Sequence, residues 1–328
     1  MKFTESMLDG YAQPLSATED AKCKNAIRLV GDALKNLGFY DDNAGIFPLY
    51  PDTYAYSLRM MTNSGRSVKL FVQGSYANNT NVRTHSDVDI AVVQEDRFTT
   101  KYRDSSVFPQ SDSDYGFTTA SPAAKSFKDE VQECLEKEFG EDVERKNKSI
   151  KVHGNTYRKD ADTVPSRRYR DYRQDYSKDP NNYVGGIIIF PDHGPSIINY
   201  PEQHIANGRE KNEATHHHYK KMVRILKKMR YLMADSIISS YSNAANNVSS
   251  FLLESLLWNI DNQWYLDNCG NYRKVYAFHL LIQLLESKKI NFTNYKEANG
   301  IKPLCENETV KDNLCTFIDQ LQLFYDYE

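Results

Sequence analysis

Two aspartates, Asp87 and Asp89, stand one residue apart in an otherwise apolar run, Asp87-Val88-Asp89-Ile90-Ala91-Val92-Val93. In a strand, residues i and i+2 project to the same side, so the two carboxylates share a face while Val88 and Ile90 turn the other way. Carboxylates held that close repel one another unless a cation lies between them. Hard oxygen ligands at this spacing suit magnesium, which takes one or two carboxylates and leaves room for substrate phosphates. Upstream, Val72-Gln73-Gly74-Ser75-Tyr76 ends another apolar strand pattern in a Gly-Ser pair. Gly74 lets a phosphate approach the backbone, Ser75 offers a hydroxyl and an N–H, and Gln73 is read with them as nucleotide-binding. Taken in order, these features read as a nucleoside triphosphate site with two catalytic magnesium ions, manganese being the alternative ion. An Asp-x-Asp alone more often marks a solvated strand end. The apolar setting argues otherwise, because charge is disfavoured there without a partner.

Two-metal chemistry calls for a third carboxylate. Ser149-Ile150-Lys151-Val152 reads as a strand, Gly154-Asn155 as a turn, and Lys159-Asp160-Ala161-Asp162-Thr163-Val164-Pro165 as a second short strand. Asp160 and Asp162 share a face. Asp162 is preferred as the third ligand because it abuts the Thr-Val-Pro end, and Asp160 is read as a solvated turn residue. Lys220, Arg224 and Lys227 recur along one helical pattern, with Lys221 and Lys228 one step round. Such a cluster is either a solvated face or a clamp for a triphosphate. Three consecutive histidines, His216 to His218, point in different directions on a helix and make no metal site. The basic clusters Arg145-Lys146-Asn147-Lys148 and Arg167-Arg168-Tyr169-Arg170 are expected to be solvated surface, with phosphate steering or an activating RNA as the functional alternative.

The elements that must position these groups follow from periodicity. Ser16-x-x-Glu19 is a capping box, and Cys23, Ile27, Val30, Leu34 and Leu37 recur at helical spacing up to Gly38. Residues 39–67 are expected to be mostly loop, strands to run over about 68–73 and 87–94, and residues 95–120 to form a polar, mobile loop. Ser121-Pro122 is expected to start a helix with Phe127, Val131, Leu135 and Phe139 on its apolar side. Arg167 to Asp179 reads as loop. Residues 185–190 and 196–199 read as a hairpin that ends on Asn199. From Thr215 the pattern is helical, with Tyr219, Val223, Leu226 and Met229 in one stripe and later helices near 248–259, 272–287 and 308–326. Strands first and helices afterwards indicate an α+β fold with a helical C-terminal lobe, divided as a core over 1–212 and a helical domain over 213–328.

Composition adds limits. The 328 residues carry 41 Lys and Arg against 44 Asp and Glu, a net charge of −3 that gives no support to extended nucleic-acid binding. No apolar run is long enough to span a membrane, and the start of the chain lacks a signal-peptide pattern. The 5 cysteines are scattered without metal spacing, which fits a reduced cytoplasmic protein. A monomer is expected.

The pattern Gly74-Ser75-Tyr76, Ser86-Asp87-Val88-Asp89-Ile90, then Asp162-x-Val164-Pro165 resembles the nucleotidyltransferases with a polymerase-β-like core. More closely it resembles the bacterial cGAS/DncV-like nucleotidyltransferases. The segment Tyr11-Ala12-Gln13-Pro14-Leu15-Ser16 is similar to the family's approach to its long first helix. Ile198-Asn199-Tyr200-Pro201-Glu202-Gln203-His204 and Tyr219-Lys220-Lys221-Met222-Val223-Arg224-Ile225-Leu226-Lys227 are similar to the CdnE branch. The resemblance implies a polymerase-β-like core. It implies an enzyme that joins nucleoside triphosphates into a cyclic dinucleotide for anti-phage (CBASS) signalling, with release of pyrophosphate and a diffusing product read by an effector protein. Cyclisation is implied by the family alone. The same resemblance assigns Lys227 and Ser250 to the triphosphate, Phe251 to stacking on a base, and Asn199 to pyrimidine acceptance, hence a UMP-containing product. The chain lacks the Arg-x-Trp or Gln-x-Trp of strict dipyrimidine relatives: Leu256 and Asn262 precede Trp258 and Trp264. A dipurine product such as c-di-GMP or cGAMP therefore stays open. So do a linear nucleotidyltransferase and a non-catalytic nucleotide- or RNA-binding regulator.

Overall fold

The computed structural model describes residues 2–14, 16–42, 45–50, 53–82, 87–104 and 106–328. Leu15 and Ser86, both part of the motifs above, lie outside the described residues. The chain divides into two compact units, Ser16–Ala77 with Asp87–Glu202, and Met1–Leu15 with Asn78–Ser86 and Gln203–Glu328. This differs from a single cut at 212/213, which falls inside the helix Pro201–Ala214. The first residues belong with the helical unit because their apolar side chains, Phe3, Leu8 and Ala12, are buried in its core, and the segment after Ala77 is tied to it by hydrogen bonds from Arg224 to Asn79 O and from Lys227 to Thr80.

The first unit is a mixed sheet. Its main path runs Ile197–Asn199, Val184–Ile189, Ala161–Asp171, Val88–Lys101, Ser67–Gln73, Tyr56–Met61, Tyr40–Asp41, and the short strand Ile150–Val152 also pairs with Ala161–Asp171. Val88–Lys101 and Ala161–Asp171 are parallel, and both flanking pairs are antiparallel. One face carries Leu58, Leu70 and Val92 beneath the helices Ala17–Leu34 and Phe127–Phe139. Gly31 makes this approach possible, since a Cβ there would come 2.6 Å from Leu58 Cδ2. The capping box forms as expected: Ser16 Oγ accepts from Glu19 N, and the Glu19 carboxylate accepts from Ser16 N. Phe71, Ala91, Val93, Val164, Ile187 and Ile189 form an apolar cluster, and the strand register puts them on the opposite face.

Several segments expected to be loop are strand. Tyr56–Met61 pairs with Ser67–Gln73, Val88–Lys101 continues past Gln94 through a bulge, and Ala161–Asp171 runs through Pro165 to the charged cluster. Cross-strand partners account for this. Arg168 is buried against Glu95 and Glu202, and the Arg170 guanidinium lies 3.7 Å from the Phe98 ring centroid, so charged residues are tolerated in the sheet. The helix expected from Ser121 begins at Phe127, because Ser126 caps it by accepting from Asp129 N.

The second unit is helical. Its core contains Tyr219, Val223, Leu226 and Met229, the stripe read from the sequence, packed with Leu253, Leu256, Phe278, Leu281, Phe317 and Ile318. Ser239–Asn246 and Asn262–Cys269 are further helices that the sequence pattern did not mark. No helix among the described residues is long and apolar enough to cross a membrane.

Candidate active site

Register brings the acidic residues together. Asp89 pairs with Asp162 across the parallel strands, with Gln73 across the antiparallel pair on its other side, and Asp162 pairs in turn with Lys151. Paired residues on neighbouring strands face the same way. Gln73, Asp89, Asp162 and Lys151 therefore form one row on one face of the sheet. One step before it lie Asp87 and Asp160, where Val88 N donates to Asp160 O at 2.9 Å. Four carboxylates thus occupy a small patch. Lys151 Nζ bridges the lower two, at 2.9 Å from Asp87 Oδ2 and 2.7 Å from Asp160 Oδ2.

The electrostatics of the two rows differ. Burial, then the charges of Asp162 and Asp87, push the Asp89 carboxyl up to about 7. Asp162 is also raised, by burial and then by Asp87, with Lys151 and Lys146 partly offsetting. Asp160 is lowered, chiefly by its hydrogen bond from Lys151, and it also accepts from Gly154 N. It is an ion-paired anchor rather than a solvated turn residue. Gly74 ends the strand beside Asp89 with φ 67°, and a Cβ there would lie 2.5 Å from Asp89 Oδ2. Only glycine combines that left-handed backbone with that clearance. Ser75 and Tyr76 follow in the short helix Gly74–Ala77.

The upper row, with Asp87 two residues before Asp89, suits a hard divalent cation: carboxylate oxygens that repel one another, beside Gly74. Asp87, Asp89 and Asp162 are the residues that would hold it. Among the described residues no three carboxylate, imidazole or thiolate groups converge as a ligand set. The Asp87 side chain is instead turned to Lys151.

Asn199 ends the strand Ile197–Asn199 and pairs with Ile187, which pairs with Arg168. Alternation along Ala161–Asp171 puts Arg168, hence Asn199, on the face that carries Asp162. That face also bears Ile187 and Ile189 of the apolar cluster, so both faces of the hairpin are apolar in part.

In the helical unit, Lys220, Arg224 and Lys227 are all buried. Arg224 donates to Ala12 O at 2.8 Å and to Asn79 O, and with Lys220 it lines a recess of about 380 Å³ together with Lys221, His217 and Lys274. Lys227 differs: its ammonium bonds Glu254 and donates to Thr80 Oγ1 at 3.0 Å. The other Glu254 oxygen meets His204 Nε2 at 2.9 Å, and His204 Nδ1 meets Asn78 Nδ2 at 3.3 Å. Burial opposes ionisation of Glu254, but Lys227 and His204 more than offset it and hold the carboxyl well below its usual range. Ser249 caps the helix Ser250–Trp258, leaving Ser250 in its first turn, 3.4 Å from the Tyr231 hydroxyl. Phe251 is 37% exposed and its ring stands edge-on to His204. His216 and His217 take left-handed backbone, φ 48° and 64°, at the start of the lysine helix.

Sequence reasoning missed Lys151 and Glu254. Lys151 shows its role only through strand pairing. Glu254 gave a signal, as the one charge within the apolar run Leu252-Leu253-Glu254-Ser255-Leu256-Leu257.

A sheet with a Gly-Ser turn and a carboxylate row, followed in the chain by a helical unit, defines a nucleotidyltransferase. Residues 58–154 match the nucleotidyltransferase domain, and residues 206–326 match the cGAS/DncV-like nucleotidyltransferase C-terminal helical domain. The chain is 43% identical to the cyclic GMP-AMP synthase CdnE03 of Staphylococcus schleiferi, over 100% of this chain and 98% of that protein. It is 37% identical to the cyclic dipyrimidine nucleotide synthase CdnE of Cecembia lonarensis, over 80% of this chain and 77% of that one. The structure of Elizabethkingia meningoseptica CdnE cyclic dinucleotide synthase with GTP and Apcpp is similar at TM-score 0.69 and 30% identity, covering 98% of this chain and 99% of that one. The chain therefore belongs to the cGAS/DncV-like nucleotidyltransferases, in the CdnE branch.

Proposed function

We propose that this protein joins two nucleoside triphosphates into a cyclic dinucleotide in a magnesium-dependent reaction. The supporting observation is the Gln73-Asp89-Asp162 row with Asp87 two residues before Asp89, beside the bare backbone of Gly74. Asp87, Asp89 and Asp162 are the proposed ligands of two magnesium ions. Bound metal would lower the pKa of the attacking hydroxyl and neutralise the triphosphate. Gly74 and Ser75 would offer backbone and hydroxyl donors to the donor phosphates. A ribose hydroxyl of the acceptor attacks the donor α-phosphorus, the bond to pyrophosphate breaks, and the hydroxyl proton leaves to solvent. A second, intramolecular attack of the same kind closes the ring and releases a second pyrophosphate.

Adenine and guanine nucleotides are the proposed substrates, supported by the full-length likeness to a protein named a cyclic GMP-AMP synthase. Uridine incorporation is the second reading, favoured by Asn199 on the carboxylate face and by the likeness to a dipyrimidine synthase. Ser250, Phe251, Lys220 and Arg224 are proposed nucleotide contacts. For Lys227 we propose a supporting role, since Glu254 and Thr80 already engage its ammonium. A cytoplasmic setting, anti-phage signalling and an effector that reads the product complete the proposal.

The test is incubation with all four nucleoside triphosphates and magnesium, then phosphatase treatment and mass spectrometry. The expected result is a phosphatase-resistant cyclic dinucleotide of purine mass, lost with EDTA. Linear products only, or no turnover, would overturn the cyclic reading, and a uridine-containing mass would select the second one.

A further inference from the structure

Among the described residues, Lys151 carries the one ammonium in contact with the patch of Asp87, Asp89, Asp160 and Asp162, and it bridges one proposed metal ligand and one residue with no ligand role. Lys151 is mostly buried, with its side chain 14% exposed, while Asp87 is 42% and Asp160 38% exposed. Its place is fixed by backbone: the Ile150–Val152 strand pairs antiparallel with Ala161–Asp171 and sets Lys151 opposite Asp162. Asp160 is fixed too, by accepting from Gly154 N and by its own backbone bond to Val88 N. Asp87 lies before the first residue of its strand and is the freer partner.

We propose that Lys151 is a built-in counter-cation which holds Asp87 in the metal-free protein and is displaced from it, onto Asp160, when a divalent cation binds. The inference rests on reading Asp87, Asp89 and Asp162 as metal ligands. Physically, a cation and the ammonium compete for the same carboxylate, because two positive charges on neighbouring oxygens repel. Asp160 gives the displaced ammonium a partner, so its release from Asp87 does not leave a partly buried charge unpaired. This accounts for a fourth aspartate that the transfer chemistry does not need.

Two substitutions then shift metal affinity in opposite directions. Lys151→Met removes the competitor and should tighten divalent binding by about ten-fold, the scale of one screened charge contact. Asp160→Asn leaves Asp87 as the sole partner of Lys151 and should weaken binding several-fold. A residue that merely supported the fold would weaken binding in both variants. The measurement is manganese binding to the full-length protein, followed by electron paramagnetic resonance of free Mn(II), with unfolding temperature in EDTA as a check on folding. Unchanged affinity in both variants, or a change in the same direction, would overturn the inference. If the wild type bound no manganese and Asp87→Asn made no difference, the ligand reading itself would fail, which is a separable result.

Discussion

Two charged clusters, one in each unit, have opposite character. Lys227, Glu254, His204 and Thr80 in the helical unit are all buried, and hydrogen bonds join them into one network. Its charges are paired, and Glu254 stays ionised despite full burial. The patch of Asp87, Asp89, Asp160 and Asp162 in the sheet unit is only partly buried and carries excess negative charge. Its central carboxyl, Asp89, is pushed up to about 7. The first arrangement is complete as it stands, as a structural network must be. The second is incomplete in a way that a cation would remedy. Residue type alone does not separate function from structure here; balance and burial do.

Asp87→Asn and Asp89→Asn should have the largest effect, and on turnover rather than stability. Each keeps shape but removes a charge from the patch, and each should lower turnover on the order of a thousand-fold or more, as loss of electrostatic stabilisation at a reacting phosphate does. Steady-state pyrophosphate release measures this. Unfolding temperature in EDTA should hold or rise, because repulsion falls.

Glu254→Gln should do the reverse, costing stability first. Removing one partner of a buried ion pair leaves Lys227 uncompensated, at about 3–5 kcal/mol. Chemical denaturation should show the loss. The folded carboxyl is depressed below the unfolded value, so the pair contributes its full stability above the ordinary glutamate range and loses it as pH falls through the folded value. The variant should therefore show a flatter acid limb of stability against pH than the wild type.

Asn199→Ser is the smallest expected effect. It removes one amide from the carboxylate face, worth about 1–3 kcal/mol if it pairs with a base edge. Relative kcat/KM for UTP against purine nucleotides should fall about ten-fold, read by mass spectrometry of products from equimolar triphosphates. No change in base composition would leave Asn199 as a strand-ending residue.

Much of this was legible in the chain. Alternation within Asp87-Val88-Asp89-Ile90 gave the shared face, and Ser16-x-x-Glu19 gave the first helix start. The Tyr219, Val223, Leu226 stripe gave the core side of the lysine helix. What failed was long-range pairing. Arg168 read as loop because its partners, Glu95 and Glu202, are far away in sequence. Lys227 reads as a triphosphate contact through the resemblance, and its buried partner Glu254, two helices on, shows only in the structure. Asp160 and Asp162 share a face, and the sequence favours Asp162 only through its place beside the Thr-Val-Pro end. The structure adds the physical difference: register sets Asp162 opposite Asp89, while the Asp160 carboxylate is ion-paired with Lys151.

That distinction gives the most direct test. Asp162→Asn and Asp160→Asn remove the same charge, two residues apart, on the same face of one strand. At saturating magnesium, pyrophosphate release should fall on the order of a thousand-fold in Asp162→Asn and stay within several-fold of wild type in Asp160→Asn. Wild-type rates in Asp162→Asn, with loss of turnover in Asp160→Asn, would contradict the account of the site.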